Sequence, residues 1–315
     1  MDSITLLLGD YTFRIVALGS CMLGIISGVL GCFSVLRKQS LLGDGVSHSA
    51  LPGIVLVFIL TLSKHTELLL LGALISGLLS TFFMLVIVRN TRIKFDSALA
   101  LCMSVFFGAG MVLLTYVQKL PNSNQAGLSR FIFGQASTLL RRDIDIMLVC
   151  GAILLLLVIL FWKEFKVFAF DSDYAQSLGF DVQKLNILLS FMIVLAIIIG
   201  LQSVGVILMS AMLITPAVSA RQWTNKLSVM VFLAAVFGGV SGVVGTMASS
   251  MISKMPTGPS IVVCISLIAS FSFLFAPQRG LISKIRQRRQ NKRSLEGLRK
   301  EYQEDLFETK GGAQG

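Results

Sequence analysis

From Thr66 to Val88 the sequence reads TELLLLGALISGLLSTFFMLVIV. No charge interrupts the run after Glu67, and coiled as an α-helix it matches the roughly 30 Å hydrocarbon thickness of a bilayer. Comparable apolar blocks lie at 15–36, 45–62, 96–117, 144–162, 185–201, 204–220, 227–250 and 257–277, separated by short charged links. The composition agrees: 55% of the 315 residues are hydrophobic, 14% are charged, and the mean hydropathy is +0.83. A chain with so little charge cannot hide its apolar surface in one water-soluble globule. Its fold class is therefore an all-α polytopic membrane protein. Nine spans is the working number. Eight is the fallback, because the stretch Leu185–Ala220 divides in two only if Gln202 and Ser203 break it.

Asp2 and Asp10 stand where a secretory signal carries positive charge, so the first block is expected to remain as an anchor. Cys21, Cys32, Cys102, Cys150 and Cys264 sit inside apolar blocks without Cys-x-x-Cys spacing, and read as buried small hydrophobes. Lys and Arg collect in cytoplasmic links. With the first residues outside, those links hold Arg37, Lys38, Arg89, Arg92, Lys94, Lys163, Lys166, Lys184, Arg221 and Lys226. After the last span come Arg279, Lys284, Arg286, Arg288, Arg289, Lys292, Arg293, Arg299, Lys300 and Lys310. The domain reading is thus a transmembrane unit over 1–278 and a basic cytoplasmic tail over 279–315, partly disordered towards Gly311-Gly312-Ala313-Gln314-Gly315. The tail accounts for much of the net charge of +11. Its few aromatics argue against nucleic acid as the partner.

The chemistry concentrates where the second span opens: Leu41-Leu42-Gly43-Asp44-Gly45-Val46-Ser47-His48-Ser49-Ala50-Leu51-Pro52-Gly53. Ionisable groups at membrane depth are costly, and they usually face a pathway or a partner. Asp44 and His48, four residues apart, lie about 40° apart around a helix, so a carboxylate and an imidazole can point at one ion. Gly43, Gly45, Ser47, Ser49 and Ala50 leave room beside them, and Pro52 frees a backbone carbonyl. The plainer alternative has Asp44 capping the helix and His48 bonding to a neighbour. One such pair supplies two ligands, fewer than a divalent transition metal takes. A two-fold axis near the site would supply two more. An oxygen and nitrogen set without thiolate suits Mn(II), Fe(II) or Zn(II). His65, near Glu67, either helps a cation arrive or is an ordinary interfacial residue. Ser47, Gln202, Met209, Ser210, Met212 and Thr215 are further lining candidates, though Met and Ser on spans more often pack.

A second segment, Asp171-Ser172-Asp173-Tyr174-Ala175-Gln176-Ser177-Leu178-Gly179-Phe180-Asp181-Val182, links the fifth and sixth spans. Ala175 and Gly179 would present a bare strip to another protein, with Asp173 beside them.

The run Val35 to Gly53 resembles the signature of the manganese, zinc and iron permease family of ABC transporters. The Ala175-x-x-x-Gly179 link is similar to that family's coupling helix. Asp96-Ser97-Ala98, Phe133-Gly134-Gln135-Ala136-Ser137, Val204-Gly205-Val206 and Ala211 to Ala217 follow in the family's order. The resemblance implies a permease of the kind related to cobalamin and siderophore importers, in the inner membrane of a bacterium. It implies a second permease chain, identical or paralogous, a cytoplasmic ATP-binding subunit and an extracytoplasmic metal-binding protein. Asp44 and His48 carry over as pathway metal residues, and Asp173, Ala175 and Gly179 as the contact with the ATPase. Nothing need be bound permanently, since Mn(II), Fe(II) or Zn(II) is cargo. The tail after Arg279 is longer than the resemblance leads one to expect.

No Gly-x-x-x-x-Gly-Lys-Ser/Thr loop is present to cradle ATP phosphates, so the chain is expected to be no enzyme, with ATP hydrolysed by a partner. Two other classes remain conceivable. A carrier driven by protons or membrane potential would also want an intramembrane acid and histidine, though the halves show no obvious repeat. A membrane metalloenzyme would need a third ligand and a general base, and no His-Glu-x-x-His occurs.

Overall fold

A computed structural model describes residues 11–62, 65–119, 141–252, 255–288, 292, 294 and 295. Among the described residues, twelve helices follow one another as far as residue 275. They are α1 (Tyr11–Leu36), α2 (Leu42–Ser49), α3 (Leu51–Thr61), α4 (Thr66–Asn90), α5 (Phe95–Gln118) and α6 (Arg141–Leu160). Next come α7 (Trp162–Phe170), α8 (Ser172–Ser177), α9 (Val182–Val204), α10 (Val206–Trp223), α11 (Leu227–Met251) and α12 (Thr257–Phe275). Among the described residues, eight segments are long and apolar enough to cross a membrane: α1, the α2–α3 pair, α4, α5, α6, α9, α11 and α12.

The eight-or-nine ambiguity has a structural cause. α10 runs in the same direction as α1: the Leu213 carbonyl lies against Gly31, and Ala217 and Ala220 join Cys32, Val35 and Leu36 near the end of α1. It therefore brings the chain back as a ninth passage. It has 18 residues, contains Pro216 and closes with Arg221-Gln222-Trp223, so its apolar length is the shortest. The break before it falls at Gly205, not at Gln202 and Ser203 as expected from the polar side chains. Gly205 has φ +88°, a left-handed geometry that glycine adopts without a Cβ penalty.

Packing rests on small residues, because apolar side chains gain little by leaving lipid for one another. α1 and α11 pair antiparallel with backbones nearly touching: Gly24 meets Gly238, Gly28 meets Ala234, and Gly242 meets Ser20. α3 and α4 cross at Gly53 and Gly72 in the same way. α5 runs alongside α2 and α3, with Leu99 against Gly45 and Gly110 against Pro52. At the far end of the bundle from the end of α1, Arg142 of α6 and Glu67 of α4 form an ion pair of 2.7 Å.

Candidate metal pathway and coupling surface

α2 and α3 are close to one continuous helix. Ala50, between them, has helical φ −72° and ψ −26°, and its N–H bonds the Val46 carbonyl. Pro52 stands in the first turn of α3 and has no N–H to give the His48 carbonyl four residues earlier. Hydroxyls steady the joint: Ser76 Oγ donates to the Ser49 carbonyl at 2.6 Å, and Ser80 Oγ to Ser49 Oγ at 2.9 Å. Ser47, a lining candidate, is fully buried and donates to the Gly43 carbonyl.

Asp44 and His48 meet as their spacing predicts. Asp44 Oδ1 lies 3.5 Å from His48 Nε2, with the side chains 41% and 25% exposed. Asp44 does not cap the helix: Leu41 occupies the N-cap and no side chain bonds there. Two ligands bonded at about 2.1 Å stand about 3.4 Å apart around a tetrahedral ion and about 3.0 Å around an octahedral one. The pair is thus spaced to share a cation more than to hydrogen-bond tightly. Gly43 and Gly45 bring two helices in beside it. A methyl at Gly43 would sit 2.9 Å from Leu213 of α10, and one at Gly45 would sit 2.7 Å from Leu99 of α5. Among the described residues no cluster of three or more His, Cys, Asp or Glu could hold a metal. Among the described residues, Asp44 and His48 thus meet as a pair and not as part of a larger ionisable cluster.

One contributor was missed in the sequence. Phe107 of α5 sits edge-on to the imidazole, ring centroids 5.0 Å apart at 83°, and the apolar run of α5 gave no sign of it. His48 Nδ1 is buried without a hydrogen-bond partner, so the aromatic contact and Asp44 define how the ring is held. Of the other candidates, Met209 and Met212 are fully buried packing residues, while Ser210 and Thr215 are half-buried. The side chain of Gln202 and the Phe133 to Ser137 segment lie outside the described residues. His65 is exposed at the start of α4, and its neighbour Glu67 is engaged by Arg142.

The coupling segment folds as α8, a six-residue helix capped by Asp171, whose carboxylate accepts from the N–H groups of Asp173 and Tyr174 at 3.0 Å each. The expected bare strip does not form. Ala175 is fully buried in its own chain, and Gly179 lies past the helix end with φ +88°, where glycine is needed for the turn. The surface offered outward is instead Tyr174 and Leu178, 56% and 51% exposed, beside exposed Asp173 and Gly179. Asp181 then caps α9 by accepting from the Lys184 N–H at 3.1 Å and pairing with its ammonium at 3.0 Å. That backbone bond, seconded by the ammonium, holds its carboxyl below the usual range.

The fold is that of a polytopic helical membrane protein, with an acid and an imidazole paired in one span and an exposed helical turn at one end. More narrowly, the chain belongs to the ABC 3 transport family, whose sequence profile matches residues 10–276. It is 49% identical over 289 residues to the zinc transport system membrane protein TroC of Treponema pallidum, covering 92% of this chain and 97% of that protein. It is 47% identical over 293 residues to the manganese transport system membrane protein MntC of Bacillus subtilis, covering 91% and 67%. Among solved structures, PsaBC from Streptococcus pneumoniae in complex with Fab superposes with a TM-score of 0.76 at 33% identity, covering 88% of this chain and 96% of that one. An inward-facing metal-chelate type ABC transporter shares the fold, with a TM-score of 0.62 at 15% identity over 82% and 84%. The chain is thus a multi-pass membrane permease.

Proposed function

We propose that this chain forms the translocation pathway of an ATP-driven importer of a divalent transition metal, with Asp44 and His48 as pathway ligands. The observation that carries the reading is their 3.5 Å separation on one face of α2, partly open to its surroundings. The cargo is Mn(II) or Zn(II) first, since relatives at 47–49% identity are named for manganese and zinc. Fe(II) keeps only its chemical compatibility with oxygen and nitrogen ligands. A second permease chain, identical or paralogous, supplies the ligands that one chain lacks. A cytoplasmic ATP-binding subunit hydrolyses ATP and presses on α8 at Tyr174, Leu178, Asp173 and Gly179, while Ala175 seats the helix from beneath. An extracytoplasmic metal-binding protein delivers the ion. Closure of the ATP-binding subunits switches the helices between outward-open and inward-open states, exposing the pair to each side in turn. Membership of an ABC family removes the ground for a proton- or potential-driven carrier.

The test is uptake of radioactive manganese, zinc and iron by cells carrying the whole transporter with wild type, Asp44→Ala or His48→Ala, with membrane abundance checked for each. Collapse of uptake at normal abundance supports the site and names the metal. Unchanged uptake means that the pair is structural.

A further inference from the structure

The last span does not run straight into the tail. After Phe275 the chain turns through Ala276–Gly280, with the Gly280 N–H bonded to the Ala276 carbonyl, and resumes as a helix over residues 281–288. Ser283 Oγ donates to the Pro277 carbonyl at 2.6 Å, fastening the new helix to the turn. The turn itself is tied to the bundle: the Arg279 N–H reaches the Gln222 carbonyl at 3.3 Å, and its guanidinium reaches Asn225 Oδ1 at 3.1 Å. Gln222 lies in the last turn of α10 and Asn225 in the link to α11, so the helix starts at the level where several spans leave the membrane. The family profile stops at residue 276, and this helix lies beyond it.

Its side chains divide in a particular way. Leu281, Ile282 and Ile285 are 55%, 49% and 45% exposed, and at 100° per residue they fall within an arc of about 100°. Lys284, Arg286 and Arg288, all exposed, flank that arc. From Arg279 to Arg293 the tail carries Arg279, Lys284, Arg286, Arg288, Arg289, Lys292 and Arg293, and no acidic residue. A helix with a bare aliphatic stripe bordered by cations, leaving the bundle where the headgroups begin, has the makings of an interfacial helix on an anionic leaflet. Its aliphatic stripe would enter the acyl boundary, and its cationic stems would extend along that surface to reach the headgroups.

We infer that the helix over residues 281–288 is an anionic-lipid-binding element: Leu281, Ile282 and Ile285 insert at the membrane surface while Lys284, Arg286 and Arg288 engage lipid phosphates. The inference needs the chain to be membrane-embedded and does not depend on which ion it carries. An ATP-binding subunit or a nucleic acid could also meet a basic helix, but neither accounts for an aliphatic stripe at the level where the spans end.

The experiment uses the full chain in nanodiscs of phosphatidylcholine alone or mixed with phosphatidylglycerol, and reads amide hydrogen exchange over 281–288, with α12 as the internal folding control. Exchange should slow in the phosphatidylglycerol discs. That protection should vanish in the double variant Ile282→Asp/Ile285→Asp, and high salt or the triple variant Lys284→Gln/Arg286→Gln/Arg288→Gln should weaken it, with α12 unchanged. Equal exchange in the two discs overturns the proposal. So does protection that appears only when the ATP-binding subunit or nucleic acid is added.

Discussion

The guanidinium carbon of Arg37 lies 3.7 Å from the centroid of the Phe168 ring. The connection that carries the chain from α1 into α2 is thereby clasped to α7, the helix that leads into α8. Local geometry aims it: Lys38 adopts φ +58°, the Gln39 N–H returns to the Ser34 carbonyl, and Ser34 Oγ donates to the Gln39 carbonyl. Beneath the clasp, Phe33 packs on Trp162 and Phe165. One guanidinium nitrogen is buried without a hydrogen-bond partner, and burial pulls the Arg37 pKa down to about 10. The aromatic face is what offsets that desolvation.

Replacing Phe168 by Leu keeps the bulk and removes the ring. The loss should be about 1–2 kcal/mol, visible as a lower apparent melting temperature of the purified chain in detergent. Arg37→Lys, with the ring in place, should also lower that temperature, because an ammonium is more strongly hydrated than a guanidinium and cannot stack on the ring. An unchanged melting temperature in Phe168→Leu would show that the ring does not hold the arginine.

The glycine contacts make a sharp pair of cases. In Gly238→Ala the new methyl would strike the Gly24 carbonyl, whereas a methyl at Gly108 would meet nothing within 4 Å. The first substitution should separate α1 from α11 and lower the folded yield in membranes. The second should be neutral or stabilising by up to about 1 kcal/mol through helix propensity. Fluorescence size-exclusion profiles of the two variants give the comparison, and equal profiles would contradict it.

Phe107 makes its contact with the imidazole ring, so Phe107→Ala should loosen His48 without removing a ligand. An aromatic contact of this kind contributes about 0.5–1.5 kcal/mol. The transport KM for the metal should therefore rise severalfold while membrane abundance stays level. Phe107→Tyr should come close to wild type. A change in maximal rate alone would assign Phe107 to packing instead.

Asp171 anchors α8 through two charge-assisted bonds to backbone N–H groups. In a helix of six residues, losing a cap that contributes about 1 kcal/mol matters more than in a long span. Asp171→Ala should weaken co-purification with the ATP-binding subunit and reduce ATP-driven uptake, while Asp171→Asn, which can still accept, should retain most of both. Equal behaviour of the two variants would mean that capping plays no part in docking.

The membrane class, most of the spans and the meeting of Asp44 with His48 were legible in the sequence, because each depends on local spacing along one helix. Hydrocarbon thickness sets a length that an apolar run either reaches or does not, and a spacing of four residues places two side chains on one face in any helix. The α8 surface was misread for the opposite reason. Whether Ala175 faces outward depends on where α7 and α9 lie, and whether Gly179 continues the helix depends on a left-handed turn that spacing does not reveal.

Phe107, the Ser49–Ser76–Ser80 hydroxyl ladder and the Arg37–Phe168 clasp each join residues far apart along the chain, and no periodicity marks such partners. The α10 passage was expected from the block at 204–220, but its place beside α1, set by the Leu213 carbonyl against Gly31, was hidden in the same way. Local chemistry along the chain sufficed for a lipid-embedded helical protein with an acid–imidazole pair. Which helices approach that pair, which face of α8 is offered, and how the tail helix leaves the bundle were decided by packing, where backbone contacts at Gly24, Gly53 and Gly238 position whole helices at once.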